Sequence, residues 1–118
     1  MKKLLLILIL LVGCSKIEYK EITPKEAKDM IEKNDLIILD VRTKEEYNTS
    51  HLKDAINIPY DEIENTISGV STDKNKIIMV YCQSGKRALT AVETLVGLGY
   101  KKVYTFGGIN SWKYGLEY

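Results

Sequence analysis

Cys82 and Arg87 flank four residues in the run Val80-Tyr81-Cys82-Gln83-Ser84-Gly85-Lys86-Arg87-Ala88. An apolar run precedes them, and apolar residues at helical spacing follow. That order puts a thiol at the C-terminal end of a strand, facing a helix N-terminus, with Lys86 and Arg87 beside it. A helix N-terminus and neighbouring cations both favour thiolate over thiol. Successive backbone N–H groups in such a loop can turn inward as an anion-binding nest, and Gly85 lets the backbone curl without a Cβ clash. The chemistry expected is attack by a nucleophilic sulfur, Cys82, on an anion held by Gln83, Ser84, Gly85, Lys86 and Arg87. Two of these also admit plainer roles: Arg87 as the structural partner of a carboxylate under the loop, and Lys86 as a solvated charge at a helix start.

The elements that must position this loop alternate along the chain. Ile77-Ile78-Met79-Val80-Tyr81 reads as a fully apolar strand, and Leu36-Ile37-Ile38-Leu39 as a second, each covered on both faces. After the loop, Ala88, Ala91, Val92, Leu95 and Leu98 fall on one face of a helix that Gly99 ends. Thr23-Pro24-Lys25-Glu26 starts another helix, with Thr23 and Glu26 as a capping box and Pro24 at the first position; Asn34-Asp35 breaks it. Thr43-Lys44-Glu45-Glu46 opens a second capping box and a short helix through Tyr47. His51 to Asp54 is a loop, Ala55 to Ile58 a short strand stopped by Pro59, and Asp61 to Ile67 a weak helix. Lys102 to Thr105 is a last strand, after which Gly107-Gly108 turns the chain into a short helix carrying Ile109 and Trp112. This alternation predicts a mainly parallel α/β sheet with helices on both faces. Ligands in such sheets sit beyond the C-terminal strand ends, which gathers Asp40, Pro59 and Cys82 near one crevice. Asp40 and Arg42 are expected to brace it.

With 118 residues the chain suffices for one small domain. A formal net charge of +1 gives no sign of a nucleic-acid partner. The lone histidine, His51, is too isolated to suggest a metal site. The first residues differ from the rest. Met1-Lys2-Lys3 is a basic start, and Leu4 to Val12 is an apolar run too short for a bilayer, which takes about 20 residues. It ends in Leu11-Val12-Gly13-Cys14-Ser15, which resembles a bacterial lipobox. That resemblance implies cleavage after residue 13, a lipid on Cys14, a tether over 14–21 and a folded domain over 22–118; Ser15 to Lys20 by itself reads as a short tether or an edge strand. The domain would then be a membrane-anchored lipoprotein on the periplasmic or cell-surface side. Losing Lys2 and Lys3 takes the 17 basic side chains to 15, against 16 acidic ones. Of two cysteines, Cys82 alone would remain a free thiol.

Several short marks fall in a telling order: Asp40-Val41-Arg42, Glu46-Tyr47, His51-Leu52, Ala55-Ile56-Asn57-Ile58-Pro59, the Cys82 loop, then Gly107-Gly108 and Trp112. From about Ile22 to Trp112 the sequence resembles a single-domain rhodanese, a sulfurtransferase. The resemblance implies a three-layer fold and a cofactor-free reaction. Cys82 attacks the outer sulfur of thiosulfate or a similar donor, sulfite leaves, and a Cys82 persulfide passes its sulfur to cyanide or a thiol. It departs from the family's habit at Ser50, Lys53 and Asp54 around the histidine, and at Gln83, where an arginine is frequent. Asp54 tolerates the left-handed backbone that a glycine would supply. Two other readings stand beside this one. A tethered domain could carry a persulfide to a protein, or bind one, without efficient turnover. Phosphatases and arsenate reductases of related fold also pair a loop cysteine with an arginine, but with five residues between them.

Overall fold

The protein is described here by a computed structural model covering residues 18–118. The segment read as a signal, with Cys14, lies outside the described residues. The two apolar runs become adjacent central strands, β2 (Ile37–Asp40) and β4 (Ile77–Cys82). Burial on both faces is what lets them dispense with polar alternation. β5 (Lys102–Gly108) pairs with the far side of β4, β3 (Ile56–Asn57) with β2, and β1 (Lys20–Glu21) with β5. The order is β1-β5-β4-β2-β3, and every pairing is parallel.

Along β4, Ile78, Val80 and Cys82 point into one core, and Met79 and Tyr81 into the other. The first core is closed by α3 (Ile63–Thr66) and α4 (Lys86–Gly97), through Ile63, Ala88, Ala91, Val92 and Leu95. The second is closed by α1 (Pro24–Lys33), through Ala27, with Tyr47 of α2 (Lys44–Thr49) against it. Helices on both faces of a parallel sheet make the expected three-layer α/β fold. Both capping boxes form: Thr23 Oγ1 accepts from the Glu26 N–H at 3.1 Å, and Thr43 Oγ1 from that of Glu46 at 3.1 Å. Asp54 takes a left-handed φ of 67°.

Lys20 and Glu21 form the edge strand of the sheet, the second of the two roles open to the segment that ends at Lys20. Two elements differ from the sequence reading. The weak helix is three short pieces, since 3-10 turns at Tyr60–Glu62 and Ile67–Gly69 flank α3. Gly107-Gly108 is not a turn but the end of β5. The register slips between Val80 and Tyr81, and Gly107 takes a φ of 98° there. The bulge re-aims the strand, and Cys82 faces Gly108 across the ladder.

Candidate active site

Cys82 is the last residue of β4, and the chain turns through Gln83, Ser84 and Gly85 into α4. Gly85 makes that turn with a φ of 118°. The turn carries two amides back onto the sulfur: Cys82 Sγ accepts from the Gly85 N–H at 3.0 Å and the Ala88 N–H at 3.3 Å. The N–H groups of Ser84, Lys86 and Arg87 have no acceptor among the described residues. The first amides of a helix lack intrahelical partners, and such a cluster is a site for negative charge. Cys82 is 1% exposed, so its sulfur lies at the floor of the loop.

A buried polar network supports that floor. Asp40 and Arg42, both at the C-terminal end of β2, are 0% and 3% exposed. Arg42 Nη2 donates to Asp40 Oδ2 at 2.7 Å and to the Ser50 carbonyl at 2.6 Å, and its Nε donates to both Asp40 oxygens. Tyr81 hydroxyl donates to Asp40 Oδ2 at 2.6 Å and accepts from the Leu52 N–H at 3.0 Å. Burial, then the bond to Asp40, pushes the Tyr81 phenol well above its ordinary range. Burial opposes the Arg42 charge, but the hydrogen bonds and attraction of Asp40 outweigh it and hold its proton more firmly than usual. The pair thus braces the β2 end by fixed charge, and Arg42 Nη1 reaches across to Gln83 Oε1 at 3.2 Å.

The loop's two cations part ways. Arg87 turns to α2, where Nη1 meets Glu46 Oε1 at 2.8 Å and Nη2 meets Oε2 at 3.1 Å. The Arg87 hydrogen bond, joined by the Thr43 N–H, brings the Glu46 carboxyl down to about 2. Lys86 is exposed and makes no ion pair among the described residues. The structure therefore gathers Cys82 with the amides of Gly85 and Ala88, and the unpaired amides of Ser84, Lys86 and Arg87. It directs the side chains of Gln83 and Arg87 sideways, toward Arg42 and Glu46.

Three residues have roles that the sequence does not assign. Glu46, half of a capping box and one of the short marks, is also the carboxylate that anchors Arg87. Asn110 clasps the loop, its N–H donating to the Gln83 carbonyl at 3.1 Å and its Oδ1 accepting from Gln83 Nε2 at 2.7 Å. Gly108 lets β5 approach so closely that a Cβ there would lie 2.1 Å from the Gln83 carbonyl oxygen. The Gly107-Gly108 pair was the one available signal. Glu46–Arg87 and Arg42–Gln83 are each 41 residues apart, with no local pattern to link them.

A parallel α/β sheet whose C-terminal edge carries a thiol bonded by two backbone N–H groups defines a class of cysteine-loop domains. Within that class the family is specific. The rhodanese-like domain matches residues 23–114, and the chain belongs to that family. It is 32% identical over 96 residues to the thiosulfate sulfurtransferase GlpE of Coxiella burnetii, covering 80% of this chain and 88% of that one. It is 39% identical over 71 residues to the thiosulfate sulfurtransferase PspE of Escherichia coli, covering 60% and 68%. A rhodanese-like domain protein of Staphylococcus aureus superposes with a TM-score of 0.73 at 36% identity, over 83% of this chain and 96% of its own. The domain also occurs inside larger proteins: a probable molybdopterin-synthase adenylyltransferase of Porphyra purpurea is 35% identical over 87% of this chain but only 28% of its own length.

Proposed function

We propose that this domain is a sulfurtransferase that moves a sulfane sulfur from thiosulfate, or a similar anionic donor, to a thiophilic acceptor through a Cys82 persulfide. The observation that carries the reading is the pair of amide hydrogens on Cys82 Sγ, at 3.0 and 3.3 Å, beside unpaired amides of the same loop. The Cys82 thiolate attacks the outer sulfur of thiosulfate; the donor S–S bond breaks and sulfite leaves with the electron pair. The amides of Ser84, Lys86 and Arg87 are placed to hold the anionic end, as oxyanion donors do. Exposed Lys86 adds the mobile positive charge, and Arg87, bound to Glu46, fixes the loop's shape. In the second half-reaction the acceptor takes the outer sulfur and Cys82 returns to thiolate, a ping-pong course.

Mass spectrometry after thiosulfate treatment tests this. Cys82 should gain one sulfur atom, lose it to cyanide, and gain none as Cys82→Ser in a folded domain. An unmodified Cys82 after thiosulfate would sink the reading. Relatives that carry the domain within longer chains favour a second reading, persulfide delivery to one protein partner. It predicts a persulfide that forms readily and transfers poorly to small thiols.

The lipobox-like run at residues 11–15 supports placing the mature domain outside the cytoplasm, held to a membrane by a lipid on Cys14. Two or three acyl chains, at about 0.8 kcal/mol per buried methylene, hold firmly. Cys14→Ser should release the protein from the membrane fraction; unchanged retention would refute the anchor.

A further inference from the structure

An open groove of about 370 Å³ runs beside the Cys82 loop, walled in part by Arg42, Ser50, Gln83 and Asn110, with Ile109 and Leu116 as its apolar side. Chemistry fixes how its amides face. A guanidinium only donates, so the Gln83 atom bonded to Arg42 Nη1 is the carbonyl oxygen. Gln83 Nε2 therefore faces Asn110, donates to its Oδ1 at 2.7 Å, and leaves Asn110 Nδ2 unengaged. Asp40 and the Ser50 carbonyl occupy Nε and Nη2 of Arg42, whereas Nη1 bonds only Gln83. One hydrogen on Arg42 Nη1, one on Gln83 Nε2, two on Asn110 Nδ2 and the Ser50 hydroxyl thus have no acceptor among the described residues. The nearby acids are already compensated, Asp40 by Arg42 and Glu46 by Arg87. The wall is rich in donors, and its remaining appetite is for an anion.

We propose that this groove is the acceptor subsite and receives the carboxylate of a small carboxylate-bearing thiol. The inference rests on the sulfurtransferase reading above. Two anion sites flank one sulfur: the loop amides suit the donor's anionic end, and the side-chain wall lies on the other side of Gln83. Gln83, which lines the groove, follows Cys82 in the chain, about 3.8 Å between Cα atoms; the acceptor's spacer is to run along Ile109 and Leu116 toward the loop. The acceptor thiolate attacks the outer sulfur of Cys82–S–SH, and a new S–S bond forms. The bond to Cys82 Sγ breaks, and its electron pair stays on Cys82 under the Gly85 and Ala88 amides. The outer proton leaves with the product persulfide. Cyanide has no carboxylate and does not need the groove.

The test uses the mature protein loaded with thiosulfate, its persulfide verified by mass. Kinetics then compare 3-mercaptopropionate, cysteamine and cyanide as acceptors, the thiols at equal thiolate concentration. The unaltered protein should prefer 3-mercaptopropionate to cysteamine. Asn110→Asp should move that preference about tenfold or more toward cysteamine, since partly exposed charge contacts support about fivefold in each direction. Asn110→Ala should lose the preference without reversing it; each thiol's rate is read relative to cyanide in the same variant, so that any change in the loop itself, which Asn110 clasps, cancels from the comparison. An equal preference in the unaltered protein, or one that ignores the charge at 110, would overturn the subsite and leave the sulfurtransferase reading intact. Failure to form the persulfide at all would overturn both.

Discussion

Replacing Gly108 by alanine should damage both stability and sulfur chemistry, for one geometric reason. An added Cβ would lie 2.1 Å from the Gln83 carbonyl oxygen, 2.4 Å from its carbon and 2.7 Å from the Ser84 nitrogen. The φ of Gly108 is −151°, an extended value that any residue adopts, so crowding alone decides the outcome. Reaching an ordinary contact of about 3.5 Å requires β5 and the loop to part by about 1.4 Å. Neither yields easily, because Gly108 pairs with Cys82 in the sheet and the Asn110 N–H holds the Gln83 carbonyl. Overpacking costs about 1–3 kcal/mol, and the upper end applies where backbone meets backbone. The Gln83–Ser84 peptide would shift with the amides around the sulfur, and misplacement by about 1 Å can cost about 10²-fold in rate. Thermal or urea unfolding reads the first effect, and the rate of persulfide formation from thiosulfate reads the second. Gly97→Ala is the control: no atom lies within 4 Å of its Cβ, and the helix should gain up to about 1 kcal/mol. A Gly108→Ala protein with unchanged stability and unchanged persulfide formation would refute the close approach as a constraint on the loop.

Glu46 gives the acid limb of stability a specific partner. Its carboxyl lies at about 2, against an ordinary 4.5. A lowered carboxyl pKa stabilises the fold fully above about 4.5, and that contribution drains away as pH falls toward 2. A shift of that size nominally corresponds to about 3 kcal/mol; with both side chains about a third exposed, solvent screening leaves about 1 kcal/mol. Arg87→Met should therefore flatten the loss of stability between pH 5 and pH 2, and parallel acid limbs in the two proteins would refute the pairing. Tyr81→Phe removes the hydroxyl shared by the Leu52 N–H and Asp40. It should cost about 1–3 kcal/mol for the buried groups left short of a partner; a loss too small to resolve by denaturant melts would mean the network does not brace the site.

The layers of this fold were legible because each rests on local residues. Capping at Thr23 and Thr43, the left-handed aspartate at 54 and the two apolar central strands need only a few neighbours in sequence to specify them. What lay hidden is relational. The strand order follows from packing of the whole sheet, and β5 reads as ending at Thr105 because two glycines ordinarily stop a strand. Their tolerance there comes from the bulge and from the loop pressed against them. The same limit applies at the site. Cysteine, loop and cations stood out together in a short run, but which cation faces the anion depends on Glu46, which enters from α2.

That division of the cations bears on which anion the loop suits. A loop that grips phosphate through its arginine needs the guanidinium free to close on two oxygens. Here both Arg87 Nη atoms donate to Glu46, at 2.8 and 3.1 Å, and Glu46 is held in turn by the Thr43 amide at 2.9 Å. A phosphate gripping Arg87 by the same two-pronged edge would have to strip a carboxylate of its partner and leave it charged on a part-buried wall. The backbone amides carry no such conflict, and they are ordered around the sulfur itself. In the proposed reaction they would solvate a sulfur anion at Cys82 and a modest charge near it, the distribution that develops when sulfite departs from a thiosulfate outer sulfur. The four-residue loop and the tethered arginine therefore act together. One brings the Gly85 and Ala88 amides onto the sulfur, and the other commits the Nη edge of Arg87 to Glu46.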